Sequence, residues 1–502
     1  MSAVHDPARD TARDPAHDSE AALTALEDAV RRELDITAYP RPEWLTAQEF
    51  AGRPVRDVLI VGGGQGGLTA AFALRRRAIT NVEIVDTAPA GKEGPWVTYA
   101  RMHTLRTPKG LTGPDQGLPS LTPESWYRAR FGDTAWNDLV HIDRHHWQEY
   151  LGWYRRVTDA RVRNETTVTS ITPAALEPGA PLAVQLDTPD GPETVFARRV
   201  VLATGLAGNG AWTAPAFIRE ALPEGRYNHT GEELDFSAFA GKRLGVLGGG
   251  ASAFDYAASA LEAGAASVDL FYRRAEIPRV NPFRWMEFYA FGAHFPDLPD
   301  ADKWRYTVRF NQTNQPPPQP TWYRCMRHET FTPHTGSPWT SIGLGADDRI
   351  RVTTPEASFE FDHVIAATGP TVDLAARPEL AELAPRVALW RHRFTPPAEW
   401  QDASLLDYPY LGSGFEFVAR EPGRASWVTR VSDFTYGARL SMGLNGNMNS
   451  GLGAGGRRLA DALSRSLFLE DREAFFDSYR AFDVRELVDL GRPADAALPE
   501  VD

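Results

Sequence analysis

The apolar positions of the chain follow two periodicities. Short, almost continuous apolar runs typical of buried strands occur at 57–61, 81–85, 199–203, 267–272 and 361–366. Apolar residues spaced three or four apart predict amphipathic helices at 19–35, 66–77, 145–157, 252–263 and 457–467. Alternating residues at 162–170 and 182–197 predict hairpin strands. Buried strands that alternate with helices predict an α/β fold with parallel sheets.

Two of the predicted strands run directly into glycine-rich turns. The first turn carries Gly62, Gly64 and Gly67, and the second carries Gly248 and Gly250 with alanine at the third position. The first glycine allows the tight turn, the second lets backbone approach a pyrophosphate, and the third small residue lets helix and strand pack closely. Each turn precedes an alanine-rich helical stretch, so the sequence predicts two bound dinucleotides. Two dinucleotides in one chain usually exchange electrons.

The residues after the next strand of each unit distinguish the two nucleotides. Asp86 follows the first unit's second strand, 24 residues after Gly62, close to the roughly 20 expected for a carboxylate that binds ribose hydroxyls. The equivalent strand of the second unit ends in Arg273 and Arg274. Guanidinium groups bind phosphate oxygens, so this pair favours NADPH over NADH. Alternatively, Asp86 simply faces solvent, and Arg273 and Arg274 form a solvated basic turn.

The order of these motifs predicts one dinucleotide-binding unit inserted in another. The Ala-Thr-Gly segments that end at Gly205 and Gly369 each close a buried strand. The second of them returns the chain to the first unit. We predict an N-terminal tail and helix, a first domain in two parts, a second domain with an insert, and a C-terminal tail; the ranges are 1–50, 51–209, 210–365 with the insert 279–345, 366–490, and 491–502. Within the first of these, 1–18 is expected to be disordered.

Composition narrows the function classes. A hydrophobic fraction of 42% and a charged fraction of 24% are ordinary for a globular protein of 502 residues. The net charge of −13 argues against nucleic-acid binding, and no segment is predicted to span a membrane or to act as a signal peptide, so we expect a cytoplasmic protein. Cys325 is the single cysteine, which excludes an internal dithiol as the electron acceptor. No metal site is expected.

Together these motifs resemble those of class B flavoprotein monooxygenases, which include flavin-containing, N-hydroxylating and Baeyer–Villiger enzymes. Gly94 and Trp96 are similar to that family's Gly-x-Trp near the flavin, and Lys109 matches a lysine that follows it. Gly225 and His229 fit the linker signature Phe-x-Gly-x-x-x-His. The sequence departs from the family at Pro223, and at Glu233, where Baeyer–Villiger enzymes carry tryptophan. The flavin-facing asparagine is replaced at Arg106 or Thr107.

The resemblance implies an enzyme, an NADPH-dependent flavoprotein monooxygenase, with FAD in the first site and NADPH in the second. It implies a C4a-(hydro)peroxyflavin that oxygenates nitrogen or sulfur of a small polar substrate, with O₂ as co-substrate. Baeyer–Villiger insertion, a reductase with a non-thiol acceptor, and a redox sensor remain alternatives. The oligomeric state is left open.

The candidate site residues fall into three groups. Those predicted to bind the cofactors are Gly62, Gly64, Gly67, Asp86, Trp96, Gly205, Gly248, Gly250, Ser252, Arg273, Arg274 and Gly369. His229 and Arg106 are candidates for a role near the reacting atoms, although His229 could equally be a structural histidine. The aromatic and arginine-rich insert suggests a pocket for an amino acid or a heterocycle, with Arg284, Trp285, Trp322, Arg324 and His328 as candidates. A solvated surface subdomain is the alternative interpretation of the insert.

Overall fold

The structure is a computed structural model that describes residues 17–37, 43–110, 113–177, 179–445, 448–487 and 490. Most of the tail expected to be disordered therefore lies outside the described residues. The strands in chain order are β1 Gln48–Phe50, β2 Arg53–Val61, β3 Val82–Val85, β4 Val162–Arg163, β5 Thr167–Pro173, β6 Leu182–Thr188, β7 Gly191–Leu202, β8 Gly210–Ala211, β9 Tyr227–His229, β10 Arg243–Leu247, β11 Ser267–Phe271, β12 Phe331–His334, β13 Ser341–Leu344, β14 Ile350–Thr353, β15 Ser358–Phe361, β16 His363–Ala366, β17 Thr371–Val372 and β18 Val431–Asp433.

The helices confirm the predicted amphipathic stretches to within a few residues. In chain order they are α1 Ser19–Ile36, α2 Gln65–Arg75, α3 Pro123–Phe131, α4 Asp133–Asp138, α5 Arg144–Val157, α6 Ala216–Ala221, α7 Ala251–Glu262, α8 Pro282–Met286, α9 Tyr289–His294, α10 Asp300–Thr313, α11 Gln319–Met326, α12 Arg439–Met442, α13 Leu452–Glu470 and α14 Arg472–Ala481. Helix α1 buries Val30 and packs its apolar stripe on the first core, as its spacing predicts.

The first sheet is built around the first glycine turn. Its strand order is β4-β3-β2-β7-β6-β5, with β18 also paired to β7. Strands β4, β3, β2, β7 and β18 run parallel, while β5 and β6 add an antiparallel extension. Its largely buried core includes the apolar residues of β2 and β7 and the small residues of α2.

The second sheet is entirely parallel and lies between two halves of the first unit in sequence. Its order is β12-β11-β10-β16-β9, with separate apolar clusters on its two faces. The first unit's last strand, β18, follows this whole unit in the chain and pairs in parallel with β7. The fold is therefore two dinucleotide-binding units of α/β type, the second inserted in the first, as the sequence predicts. The exact domain boundaries stay a prediction.

The insert after β11 is not one uniform segment. Helices α8 to α11 follow β11, and β12 then adds a parallel strand to the edge of the second sheet. Helix α10 packs with Trp304 against Trp390, which lies after the second sheet in the chain. No helix in the ranges that the structure describes has the length and apolar character needed to cross a membrane.

Candidate active site

A single large cavity joins the two glycine turns. Its volume is about 2010 Å³, compared with roughly 300–1,000 Å³ for a pocket that holds one small ligand. Of the twelve residues predicted to bind cofactors, the cavity is lined by all except Gly67. Both sheets present the carboxyl ends of their parallel strands to it, where α/β proteins bind ligands. The cavity has room for more than one ligand.

The first glycine turn has the geometry that a bound pyrophosphate needs. Gly62 has φ +111°, a conformation that favours glycine, and a Cβ at Gly67 would lie 1.8 Å from the carbonyl oxygen of Gly62. A Cβ at Gly64 would meet only the backbone of Gly94, at 3.8 Å, so this face is open. Helix α2 begins there without a side-chain cap, which leaves its N-terminal N–H groups available to an anion.

Asp86 lies where a ribose-binding carboxylate is expected. One carboxylate oxygen accepts a hydrogen bond from the Gly63 N–H at 2.6 Å, and the other accepts from the Ala88 N–H at 2.7 Å. Burial raises the pKa of Asp86, an effect that these two backbone hydrogen bonds oppose. Each oxygen keeps a lone pair for a further donor, so the side chain is fixed in place and can still accept from a hydroxyl group.

The second glycine turn repeats this design. Gly248 has φ +139°, and a Cβ there would lie 2.2 Å from the carbonyl oxygen of Ala367. Nothing lies within 4 Å of a Cβ built at Gly250. Helix α7 starts at this turn without a side-chain cap, and Ser252 in its first turn lines the cavity. The residues of both turns therefore fit a dinucleotide phosphate.

Arg273 and Arg274 differ in their surroundings although both line the cavity. Arg273 is exposed. Arg274 donates to the carbonyl oxygens of Gln312 and Asn311, the latter at 2.5 Å, in the last turn of α10. It therefore neutralises the carbonyl end of a helix. Of the two, Arg273 is the arginine that is placed more freely for a phosphate.

Arg106 connects the two units. Its guanidinium pairs with Asp255 on α7, whose other carboxylate oxygen accepts a hydrogen bond from the Thr321 hydroxyl at 3.0 Å. The Asp255 side chain is 3% exposed, so the carboxylate of this ion pair is almost completely buried. The same arginine lines the cavity. Its guanidinium therefore sits at the boundary between the nucleotide units.

Replacing Asp255 with asparagine is expected to lower the free energy of unfolding by about 2–4 kcal/mol, because a largely buried guanidinium loses its counter-charge. Chemical denaturation followed by circular dichroism measures this change. Asp28→Asn, which removes an exposed pair with Arg31, is the control and should cost less than about 0.5 kcal/mol. Equal midpoints for the two variants would show that the Arg106–Asp255 pair contributes no stability.

His229 is buried at the end of strand β9 and does not line the cavity. Its Nδ1 accepts from the Gly231 N–H at 3.1 Å, and its Nε2 lies 3.5 Å from the Thr368 hydroxyl. The ring also packs against Trp212 at 5.4 Å between centroids. Burial lowers the pKa of His229, so the neutral form is favoured. These contacts suit a structural histidine better than one that acts on the reacting atoms.

Two further residues of the family signature differ in placement. Trp96 lines the cavity and meets Trp147 edge to face at 6.3 Å. Lys109 does not line it, because its ammonium group donates to the carbonyl oxygens of Trp136 and Asn137. The lysine therefore holds the end of helix α4.

The five substrate candidates of the insert do not line this cavity, and their role in substrate binding stays a prediction. Arg324 makes two hydrogen bonds to Glu262, at 2.7 and 2.6 Å, so its charge is already matched inside the second unit. Trp322 packs on Phe254 in the same core. None of the five lines the cavity; they are Arg284, Trp285, Trp322, Arg324 and His328. Trp322 and Arg324 lie on α11 and face α7, which their spacing in the sequence did not reveal.

The insert reaches the cavity through other residues. Phe283, Glu287, Phe310 and Asn311 line its wall. From beyond the second sheet come Tyr408, Tyr436, Arg439, Asn449 and Ser450. Asn449 and Ser450 lie in a glycine-rich segment before α13, of which Gly446 and Asn447 are outside the described residues. The tyrosines and Arg439 carry no motif, and only their position in the folded chain brings them to the cavity.

Comparison with known proteins agrees with this geometry. A family model described as FAD-NAD(P)-binding matches residues 59–207. The chain is 42% identical over 466 residues to the FAD-dependent urate hydroxylase of Xanthomonas campestris pv. campestris, which covers 93% of this chain and 97% of that one. The chain belongs to this family of FAD-dependent hydroxylases. It is thus a flavin-dependent oxidoreductase, as the motifs predict.

Solved structures of other hydroxylases share the fold with this FAD-dependent hydroxylase. The ornithine N-hydroxylase of Kutzneria sp. 744 superposes with a TM-score of 0.63 at 18% identity, covering 82% of this chain and all of that one. L-lysine 6-monooxygenase from Pseudomonas syringae gives 0.61 at 21% identity, covering 82% and 99%. At such identities the likeness shows the fold alone. The two glycine turns and the matching family model establish FAD and NAD(P) as the cofactors.

Proposed function

We propose that the protein is an FAD- and NADPH-dependent monooxygenase that hydroxylates a small, planar, polar heterocycle such as urate. The observation that supports this most is the single cavity that both glycine turns line together with a third, polar and aromatic wall. Similarity to a urate hydroxylase along nearly the whole of both chains supports the substrate class. The cavity therefore provides for two nucleotides and a substrate.

The overall reaction balances with these three ligands and O₂. NADPH, a proton, O₂ and the substrate give NADP⁺, hydroxylated substrate and water, and bound FAD would supply the hydride-accepting and oxygen-activating chemistry. The residues of this chain would bind and orient the ligands: Gly62 and Gly64 with the start of α2 would hold one pyrophosphate, and Gly250 with the start of α7 would hold the other. Asp86 would accept a hydrogen bond from a ribose hydroxyl group, and Arg273 would pair with a phosphate.

The protein also supplies a site that excludes competing acceptors. Cys325 is buried, burial raises its thiol pKa to about 12, and it is the single cysteine of the chain, so no dithiol can take the electrons. Trp96 and Trp147 supply apolar surface beside the first glycine turn. Such surface keeps water from a reactive oxygen species.

Stopped-flow spectra test this function. Enzyme reduced with NADPH is mixed with O₂, with and without urate. We expect a transient that absorbs near the ultraviolet edge and resembles neither reduced nor oxidised flavin, and urate should speed its decay. Direct reoxidation without a transient, together with fast reduction of a quinone or a ferredoxin, would support a reductase instead.

The identity of the product separates the remaining alternatives. Mass spectrometry and NMR of the urate product show which atom gains oxygen. If urate does not react and another substrate gains oxygen on a nitrogen or sulfur atom, the protein is an N- or S-oxygenase. A ring-expanded product from a ketone would indicate Baeyer–Villiger insertion.

A further inference from the structure

Arg439 occupies an unusual position on the cavity wall. It lies at the start of α12, and its guanidinium carbon is 5.2 Å from the ring centroid of Phe310, 5.6 Å from that of Tyr408 and 5.0 Å from that of Tyr436. These rings come from α10 and from the chain after the second sheet. Distances of this kind give cation–π attraction and hold the guanidinium plane in one orientation.

Two neutral side chains hold this guanidinium in place. Nη1 donates to the Tyr436 hydroxyl at 2.8 Å, and Nη2 donates to the Asn311 amide oxygen at 2.6 Å. An arginine has five N–H donors, so three of those of Arg439 make no hydrogen bond to the described residues. The Nε atom of Arg439 is buried without a hydrogen-bond partner. A buried donor of this kind is costly unless a ligand or solvent satisfies it.

The charge of Arg439 is not matched by a direct ion pair. In the described ranges no carboxylate makes a salt bridge or hydrogen bond to it. The nearest acid in the network is Asp402, which accepts from the Asn311 amide at 2.9 Å and so lies one side chain away. Asp402 also accepts two hydrogen bonds from Ser404. The cage made by Phe310, Asn311, Tyr408 and Tyr436 therefore surrounds a cation with unused donors.

From this arrangement we infer that Arg439 and its cage form an anion-recognition site for the planar, negatively charged edge of the substrate. This inference rests on the proposed function, since it names the part of the cavity that receives the heterocycle. Urate is an anion at neutral pH whose adjacent ring nitrogen and oxygen atoms lie in one plane. Two parallel N–H donors match such an edge, and aromatic rings pack on its face.

The placement separates this site from the nucleotide sites. Neither glycine turn contributes to the cage, which is built from α10, α12 and the segment around Tyr408. The cage and the second nucleotide site are linked through α10, whose last carbonyl groups accept hydrogen bonds from Arg274. Loss of Arg439 should accordingly weaken substrate binding and leave NADPH binding unchanged.

Isothermal titration calorimetry of the holoenzyme tests the inference, with urate as the anionic probe and hypoxanthine as a neutral one. We expect wild type to bind urate more tightly than hypoxanthine. Arg439→Met should weaken urate binding roughly ten- to hundredfold and leave hypoxanthine little changed. Arg439→Lys keeps the charge without the planar fork and should lie between them. Arg53→Met is the control, because Arg53 packs on Phe196 and neither residue lines the cavity. This variant should bind both probes as wild type does.

The outcomes distinguish this inference from the proposed function. If wild type binds urate through Arg439 but does not hydroxylate it, the anion site stands and the proposed reaction fails. If wild type hydroxylates urate and Arg439→Met and Arg439→Lys bind it normally, the anion site is wrong and the reaction stands. A rise in the KM for NADPH with unchanged urate binding would instead make Arg439 a nucleotide contact. Flavin content and the thermal midpoint of each variant show that it is folded.

Discussion

Replacing Gly64 with valine is expected to give a folded protein that has lost at least nine-tenths of its FAD, about a tenfold effect or more. The backbone at Gly64 has φ −72°, which valine can adopt, and a Cβ there would not meet another atom closer than 3.8 Å. The added methyl groups would instead fill the space where the pyrophosphate must approach the start of α2. The ratio of flavin to protein absorbance after purification, and after reconstitution with excess FAD, measures the loss.

Gly343→Val is the matched control, because Gly343 is also open on its Cβ side, lies in strand β13 and does not line the cavity. It should keep a full complement of FAD. Gly67→Ala should behave differently from both, since its Cβ would overlap the Gly62 carbonyl and destabilise the fold itself. Full flavin content in Gly64→Val would show that the first glycine turn is not the FAD site.

Replacing Arg273 with alanine is expected to lower the preference for NADPH over NADH by roughly ten- to hundredfold, measured as the ratio of kcat/KM values. A charge-assisted hydrogen bond to a phosphate contributes about 1.5–3 kcal/mol to binding. Because NADH has no 2′-phosphate, the substitution should weaken NADPH binding and leave NADH binding unchanged. Arg274→Ala should change this preference less, because Arg274 already donates to the end of α10. Its main effect should be a lower thermal midpoint.

Arg349→Ala serves as the control for nucleotide preference. Arg349 belongs to the second unit but pairs with Asp362 and does not line the cavity. Its NADPH preference should equal that of wild type. Equal losses of kcat/KM for both nucleotides in Arg273→Ala would contradict a phosphate contact and indicate a structural role.

The nucleotide-binding half of the site could be predicted from sequence because it depends on local chain geometry. The turn at Gly62 needs a positive φ, the close approach at Gly67 needs a missing side chain, and a short strand must precede them. These requirements restrict the residue types at positions only a few residues apart, so the motif is visible in the sequence. The insertion of one unit in the other was predictable for the same reason, since each Ala-Thr-Gly segment marks the end of a buried strand.

The rest of the cavity wall depends on contacts between residues that are distant in sequence, and the sequence did not indicate which residues form it. Arg324 and Arg439 are the same residue type and cannot be told apart by sequence. The charge of Arg324 is paired with Glu262, whereas aromatic and amide groups surround Arg439. The aromatic and arginine-rich composition of the insert led to the prediction of a polar pocket there, and Arg284 and Arg324, which it singled out, do not line the cavity. Which residue faces the cavity was decided by how α10 and α11 pack, and no local spacing encodes that.

Incorporation of oxygen from ¹⁸O₂ tests the central claim most directly. The enzyme is supplied with NADPH, urate, ¹⁸O₂ and catalase, and the product is analysed by mass spectrometry while NADPH oxidation is followed. We expect one labelled oxygen atom in each product molecule and one NADPH consumed for each. NADPH oxidation without label in the product, or a product whose new oxygen comes from water, would contradict a monooxygenase that acts on urate.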